Sequence, residues 1–179
     1  METVSTMGSG DLGRELDLDV LIDALEHEFP IKTNRHSNSM TTIRLDEEAP
    51  AITLYRTGSY QIRGTKDRAA LFEANEEFLQ TIESIGLTPG CGSFSQKNAV
   101  YLIDFEQEVI LEQLAVHLGL ENVEYEPEQF PGVIYRPPDT GTVNLVFSSG
   151  KAIISGTISD EIAESAADHL RQEIRNLSG

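Results

Sequence analysis

The sequence predicts an α+β fold built twice over, each half an antiparallel sheet with helices on one face and the other face open. Three observations predict it: the 179-residue chain repeats itself at a fixed offset, each copy ends on an amphipathic helix, and short alternating segments joined by glycine turns precede that helix. Internal repeats come first, because a missed repeat misassigns the whole fold. Subtracting 92 takes Arg136 to Arg44, Phe147 to Tyr55, Gly150 to Gly58, Gly156 to Gly64 and Thr157 to Thr65. Upstream the offset becomes 93, taking Asp104, Glu108, Leu114 and Leu118 to Asp11, Glu15, Leu21 and Leu25. One residue was gained or lost between the blocks, and the copies divide as 1–90 and 91–179.

Each copy reads strand, helix, several strands, long helix. In the second copy Asn98–Ile103 is a strand and Val109–Leu118 a helix. Short strands follow near Val123–Tyr125, Val133–Arg136, Val143–Phe147 and Ala152–Ser155. Gly150 in SSGK marks a tight hairpin between the last two. Ser159 can cap the final helix, with Asp160 and Glu161 opposing the positive end of its dipole. The stripe Ile162, Ala163, Ala166, Leu170, Ile174 and Leu177 repeats at three- and four-residue steps, and it falls on Ala70, Leu71, Ala74, Phe78, Ile82 and Ile85. Gly86–Ser95, GLTPGCGSFS, reads as the linker. Helices with one buried stripe and strands that alternate call for a sheet covered on one side only.

Composition bounds the function. Thirty acidic against thirteen basic residues give a formal charge of −17, and only four of the basic residues are lysines. Such a surface suits molar salt, where carboxylates hold hydrated cations, and it opposes nonspecific attraction to phosphate. A nucleic-acid site must then be local, with the remaining repulsion screened over ~3 Å at 1 M salt. No apolar run approaches the ~18 residues of a membrane span. METVSTMGSG lacks the basic-then-apolar pattern of a secretory signal. One cysteine, Cys91, fits a reducing interior, so a soluble cytoplasmic protein with no membrane association is expected.

Alternation decides what the open face carries. Leu145 and Phe147 share it on one strand, Ile153 and Ser155 on the next, and Asn98 and Val100 on the first. If helices cover only the opposite face, this is an exposed apolar surface of the kind that marks a binding site. Periodicity alone leaves open the plainer alternative, in which these are core residues beneath a cover.

YEPEQFPGVIYR (residues 125–136) and LVFSSGKAIISG (145–156), preceded by KNAVYLIDF and GLENVEYEPEQF, closely resemble the second repeat of archaeal TATA-box-binding proteins. The resemblance is close from about Asn98 to Leu177 and extends over the whole chain at lower similarity. It implies a saddle: a curved antiparallel sheet with its concave face on the DNA minor groove and its helices on the convex face. It further implies that Phe130 and Phe147 wedge into a base step, and that Asn98 hydrogen-bonds minor-groove acceptors. Val100, Leu145, Ile153 and Ser155 would then line the groove floor, and Arg136 and Lys151 would contact phosphates. Glu126, Glu128 and Gln129 would form the loop offered to transcription factor B. Ser155 stands where the family usually has threonine. Together with the acidic composition, the resemblance implies a paralogue of haloarchaeal type whose first repeat has diverged.

The first copy keeps the spacing and changes the chemistry. Phe130 corresponds to Asn38, inside NRHSNSM; Phe147 to Tyr55, Leu145 to Thr53, Ile153 to Gln61, Ser155 to Arg63 and Lys151 to Ser59. Through the 93 offset, Asn98 corresponds to Ser5 and Val100 to Met7; among the implied contacts only Arg44, opposite Arg136, is kept. Asn38, Tyr55, Gln61 and Arg63 are all expected on the open face. Two readings are open at this stage. In one, the protein binds A·T-rich promoter DNA mainly through its second half, while Arg44, Tyr55, Arg56, Gln61 and Arg63 alter the preference of the first. In the other, it is a regulator that engages transcription factor B or other proteins and binds DNA poorly. A homodimer through the apolar face in the absence of DNA is also left open.

Catalysis is not expected. The four histidines form no HExxH or paired Cys/His pattern, so neither a metal nor a cofactor is indicated. Cys91 has no base near it in sequence, and there is no phosphate-binding GxxxxGK[ST] loop.

Overall fold

A computed structural model describes residues 1–90 and 92–177; Cys91, considered above as a nucleophile, lies outside the described residues. The chain forms two compact units, one of residues Ser5–Lys97, the other of Met1–Val4 with the chain from Asn98 onward. The first contains β1 (Glu2–Asp11) from Ser5 on, α1 (Leu18–Glu28), β2 (Lys32–Ser37), β3 (Met40–Arg44), β4 (Ala51–Tyr55), β5 (Ser59–Thr65) and α2 (Arg68–Ser84). Its strands lie in the order β2-β3-β4-β5-β1, each pair antiparallel. The second contains β6 (Ser95–Asp104) from Asn98 on, α3 (Leu111–Leu118), a 3-10 turn (Leu120–Asn122), β7 (Val123–Glu124), β8 (Gly132–Tyr135), β9 (Val143–Phe147), β10 (Lys151–Thr157) and α4 (Asp160–Leu177). Its order is β6-β10-β9-β8-β7, again antiparallel. The α+β class, the repeated element order and the single covered face are as the sequence predicts.

Side-chain caps start three of the helices, and Ser159 is the one the sequence reading names. Asp17 accepts a hydrogen bond from the Val20 amide at 3.2 Å and Asp67 one from Ala70 at 2.8 Å. Ser159 accepts one from Ile162 at 3.3 Å, with Asp160 and Glu161 in the first turn of α4. α2 buries Leu71, Ala74, Asn75, Phe78 and Ile82, and α4 buries Ala163, Ala166, Ala167, Leu170 and Ile174. Ile162, assigned from sequence to the buried stripe, is 41% exposed, and Ala163 takes the inward place in that turn. No helix among the described residues is long and apolar enough to cross a membrane.

The helices cover one face of each sheet. In the first unit Ile43, Ile52, Leu54, Tyr60 and Ile62 point into that core; in the second Val133, Val146, Ala152, Tyr101, Ile103 and Ile154 do so. The Tyr60 hydroxyl donates to Asn75 Oδ1 at 2.6 Å, which explains a polar residue on the buried side of α2. Burial, reinforced by Asp11, pushes the Tyr60 phenol up to about 12. Tyr101 is likewise raised to about 12, by burial and then by its hydrogen bond to Asp160. Asn144 is a misfit: fully buried on the helix side of β9, it makes no hydrogen bond with either Nδ2 or Oδ1. The first unit has Ile52 in its place.

The hairpin glycines set the register. Gly58 (φ +94°) and Gly150 (φ +81°) adopt backbone angles that side-chain-bearing residues rarely reach. A Cβ on Gly58 would stand 2.0 Å from the Arg14 carbonyl oxygen, and one on Gly150 1.9 Å from that of Gln107. Around them the same backbone bonds recur: Leu12 N to Gly58 O and Phe105 N to Gly150 O, both 2.9 Å; Leu16 N to Arg56 O at 2.8 Å and Val109 N to Ser148 O at 2.9 Å.

Gly150→Ala is expected to destabilise the fold by about 1–3 kcal/mol or more, since the strained φ and the carbonyl clash act together; urea unfolding at matched salt measures it. Asn144→Val should raise stability by about 1–2 kcal/mol, because two unpaired buried polar atoms are removed from the core. An unchanged or lower midpoint for Asn144→Val would contradict that reading.

Candidate nucleic-acid interface

The face away from the helices carries the expected apolar row in the second unit. Register pairs align Leu102 with Ile153, Ile153 with Leu145, and Leu145 with Ile134, so four aliphatic side chains cross four strands in line. All four are half-buried, while their sequence neighbours Ile103, Ile154, Val146 and Val133 are buried under the helices. Val100 and Asn98 continue the face along β6, and Ser155 and Lys151 lie on it along β10. Sequence reasoning missed Leu102 and Ile134; the alternation in VYLID and GVIY was the available signal.

At one end of this row Phe130 packs on Phe147, ring centroids 5.7 Å apart. Gly132, the register partner of Phe147, makes that pairing possible. A Cβ there would stand 2.9 Å from both the Phe130 ring and the Val146 carbonyl oxygen, and 3.2 Å from the Phe147 ring. Phe130 is held by its own amide, which donates to Glu126 O at 2.9 Å, as does the Gln129 amide. These bonds shape the exposed loop of Glu126, Glu128 and Gln129. The Gln129 side-chain amide also bonds the Glu126 carboxylate. Just before the loop the Tyr125 hydroxyl donates to Glu112 at 2.9 Å, anchoring it to α3.

Several polar residues already have partners. The Asn98 Oδ1 accepts from Gly156 N at 3.2 Å, where the β10–β6 register shifts. The Ser155 hydroxyl donates to Val143 O at 3.4 Å. Arg136 lies just past β8, ion-paired with Glu124 at 2.7 Å on the exposed surface, and the Arg44 guanidinium bonds the Ala49 carbonyl. Lys151 is exposed.

The first unit carries the same row in other chemistry. Ser9 pairs with Gln61, Gln61 with Thr53, and Thr53 with Thr42, the positions of Leu102, Ile153, Leu145 and Ile134. A hydrogen-bonded chain crosses it: His36 Nε2 to Thr42 Oγ1 at 3.0 Å, Thr42 Oγ1 to Thr53 Oγ1 at 3.0 Å, and Arg63 Nη2 donating to Thr53 Oγ1 at 3.3 Å. Tyr55, Gln61 and Arg63 lie on this open face as expected, since Leu54, Tyr60 and Ile62 between and beside them are buried. Asn38 does not. It occupies the turn between β2 and β3, beside Arg56 and the start of α1. The six-residue β2 pairs along β3 from Lys32–Arg44 to Ser37–Met40, whereas β7 pairs at only two positions before its loop departs. With no loop to carry a wedge, Met40 stands where Gly132 stands and pairs with Tyr55.

Among the described residues no group of three or more His, Cys, Asp or Glu is arranged to hold a metal ion.

Comparison with known proteins finds the same two copies. The family model for transcription factor TFIID (or TATA-binding protein, TBP) matches residues 1–85 and again 93–177. TATA-box-binding protein C of Halobacterium salinarum is 40% identical over 179 residues, covering 99% of this chain and 98% of that protein. The TATA-box-binding protein of Thermococcus sibiricus is 35% identical, covering 94% and 89%. Among solved structures, Methanococcus jannaschii TBP superposes with a TM-score of 0.79 at 27% identity, over 98% of this chain and 97% of that one. With the family model matching both copies and the fold shared along nearly the whole length, the chain belongs to the TATA-binding protein family, a family of transcription factors and not of enzymes.

Proposed function

We propose that this protein is a transcription initiation factor that seats the open face of its second unit in the minor groove of A·T-rich promoter DNA, bends it, and recruits transcription factor B. The observation that carries this is the half-buried aliphatic row ending on the Phe130–Phe147 pair. An apolar floor favours A·T because a guanine amino group against it loses water and gains no partner. The paired rings supply a wedge whose insertion costs unstacking and gains contact along a bent groove. Lys151 and Arg136 are proposed to hold phosphates, which positions the protein without reading sequence; Arg136 must first exchange Glu124 for phosphate. Asn98, Val100, Leu145, Ile153 and Ser155 are proposed to face the bases, and Tyr55, Arg63 and Arg44 to supply the first unit's contacts. The charge of −17 implies that this binding operates at high salt, where repulsion is screened.

A second reading is favoured by the polar chain across the first unit. A protein whose first half has diverged from groove binding could act chiefly through transcription factor B, at the loop of Glu126, Glu128 and Gln129. The loop's internal bonds to Glu126 leave Glu128 exposed beside it as the natural contact for a basic partner surface.

Phe130→Ala/Phe147→Ala should lower affinity for an A·T-rich fragment at molar salt by roughly 5- to 150-fold, the worth of about 1–3 kcal/mol of aromatic–base contact. No binding by wild type with or without transcription factor B, and no effect of the variant, would overturn the DNA reading and leave the second. Glu126→Arg/Glu128→Arg should weaken recruitment of transcription factor B at least about tenfold by reversing charge at the contact, with DNA affinity retained. Recruitment intact in that variant would contradict the loop assignment.

A further inference from the structure

We infer that the first unit accepts G·C base pairs where the second is restricted to A·T, so that the protein's preferred site is a composite: A·T-only on one side, G·C-tolerant on the other. The inference rests on the minor-groove reading proposed above. Guanine N2 is the one donor on a minor-groove floor otherwise lined with acceptors. Against Leu102, Ile153, Leu145 and Ile134 it is stripped of water with nothing to bond. Against Ser9, Gln61 and Thr42 it meets three half-buried side chains that each carry an acceptor oxygen, while Thr53, 1% exposed, bonds Thr42 within the row.

The hydrogen-bonded chain makes this face adaptable. Either hydroxyl of the Thr42–Thr53 pair can donate, and His36 at one end can donate or accept according to its tautomer. The donor sense of the chain can therefore reverse, presenting an acceptor to a guanine amino group or a donor to adenine N3 or thymine O2. Arg63, which donates to Thr53 from one nitrogen, has further N–H groups for acceptors that A·T and G·C pairs share. The result is tolerance of G·C, not preference for it. The aromatic pair is also confined to the second unit, since Met40 and Tyr55 stand at the places of Gly132 and Phe147.

The test is to walk one G·C pair through an A·T-rich duplex and measure binding of the full chain at molar potassium chloride. A G·C pair should cost roughly 5- to 150-fold at positions on one side of the site and under about threefold on the other. Thr42→Ile/Gln61→Ile should extend the penalty to the tolerant side, and Leu145→Thr/Ile153→Gln should relieve it on the sensitive side. Selection of wild-type sites from a random duplex library gives the same answer without variants: an A·T-only half joined to a mixed half. Equal penalties on both sides, or a uniformly A·T selected site, would overturn the inference while leaving minor-groove binding intact. Absence of binding to every duplex would overturn the groove reading itself.

Discussion

Each sheet depends on one close approach between a glycine and a carbonyl oxygen: Gly58 against Arg14, and Gly150 against Gln107. No side chain fits in that space, and the positive φ at both glycines turns the hairpin tightly enough to reach it. The contact locks the hairpin against the loop that follows the first strand of its unit, and so fixes which residue faces which across the sheet. Because side chains alternate with period two, a slip of one residue would send the open face into the core and the core to solvent. The same pair of backbone bonds flanks both glycines, which is why two halves with few shared surface residues keep one register.

On that common frame, evolution of the face was free to change chemistry without changing geometry. The aliphatic row of the second unit and the hydroxyl–amide row of the first occupy matching register positions. The ends of the rows differ at matching register positions. Gly132 leaves room for Phe130 beside Phe147, whereas Met40 fills the corresponding place beside Tyr55. Polar rows carry little cost here because their hydroxyls satisfy one another, with Arg63 and His36 closing the chain. Asn144 shows the contrary case, a polar side chain on the buried face with no protein partner.

Much of this was legible in the sequence, because it rests on periodicity. The offsets of 92 and 93 predict the register that the strand pairs show, and the alternation places Leu145, Phe147, Ile153, Tyr55, Gln61 and Arg63 on the open face. What was not legible depends on local length. Asn38 was misplaced because β2 runs on into a tight turn while β7 stops after two residues, so a constant offset fails between them. Gly132 and Met40 passed unnoticed because their meaning lies across the sheet, in the ring each one admits or displaces. The ion pair of Arg136 with Glu124, and the bond of Arg44 to Ala49, could not be read from spacing at all.

A single aromatic wedge on the second unit, with a polar first unit, is therefore the core of this protein's proposed chemistry. Its most direct measurement is the fluorescence of 2-aminopurine placed at successive steps of an A·T-rich duplex bound by the intact chain at molar salt. Unstacking relieves quenching, so one step, at one end of the bound site, is expected to brighten. Bright steps at both ends, or none while binding is retained, would contradict it.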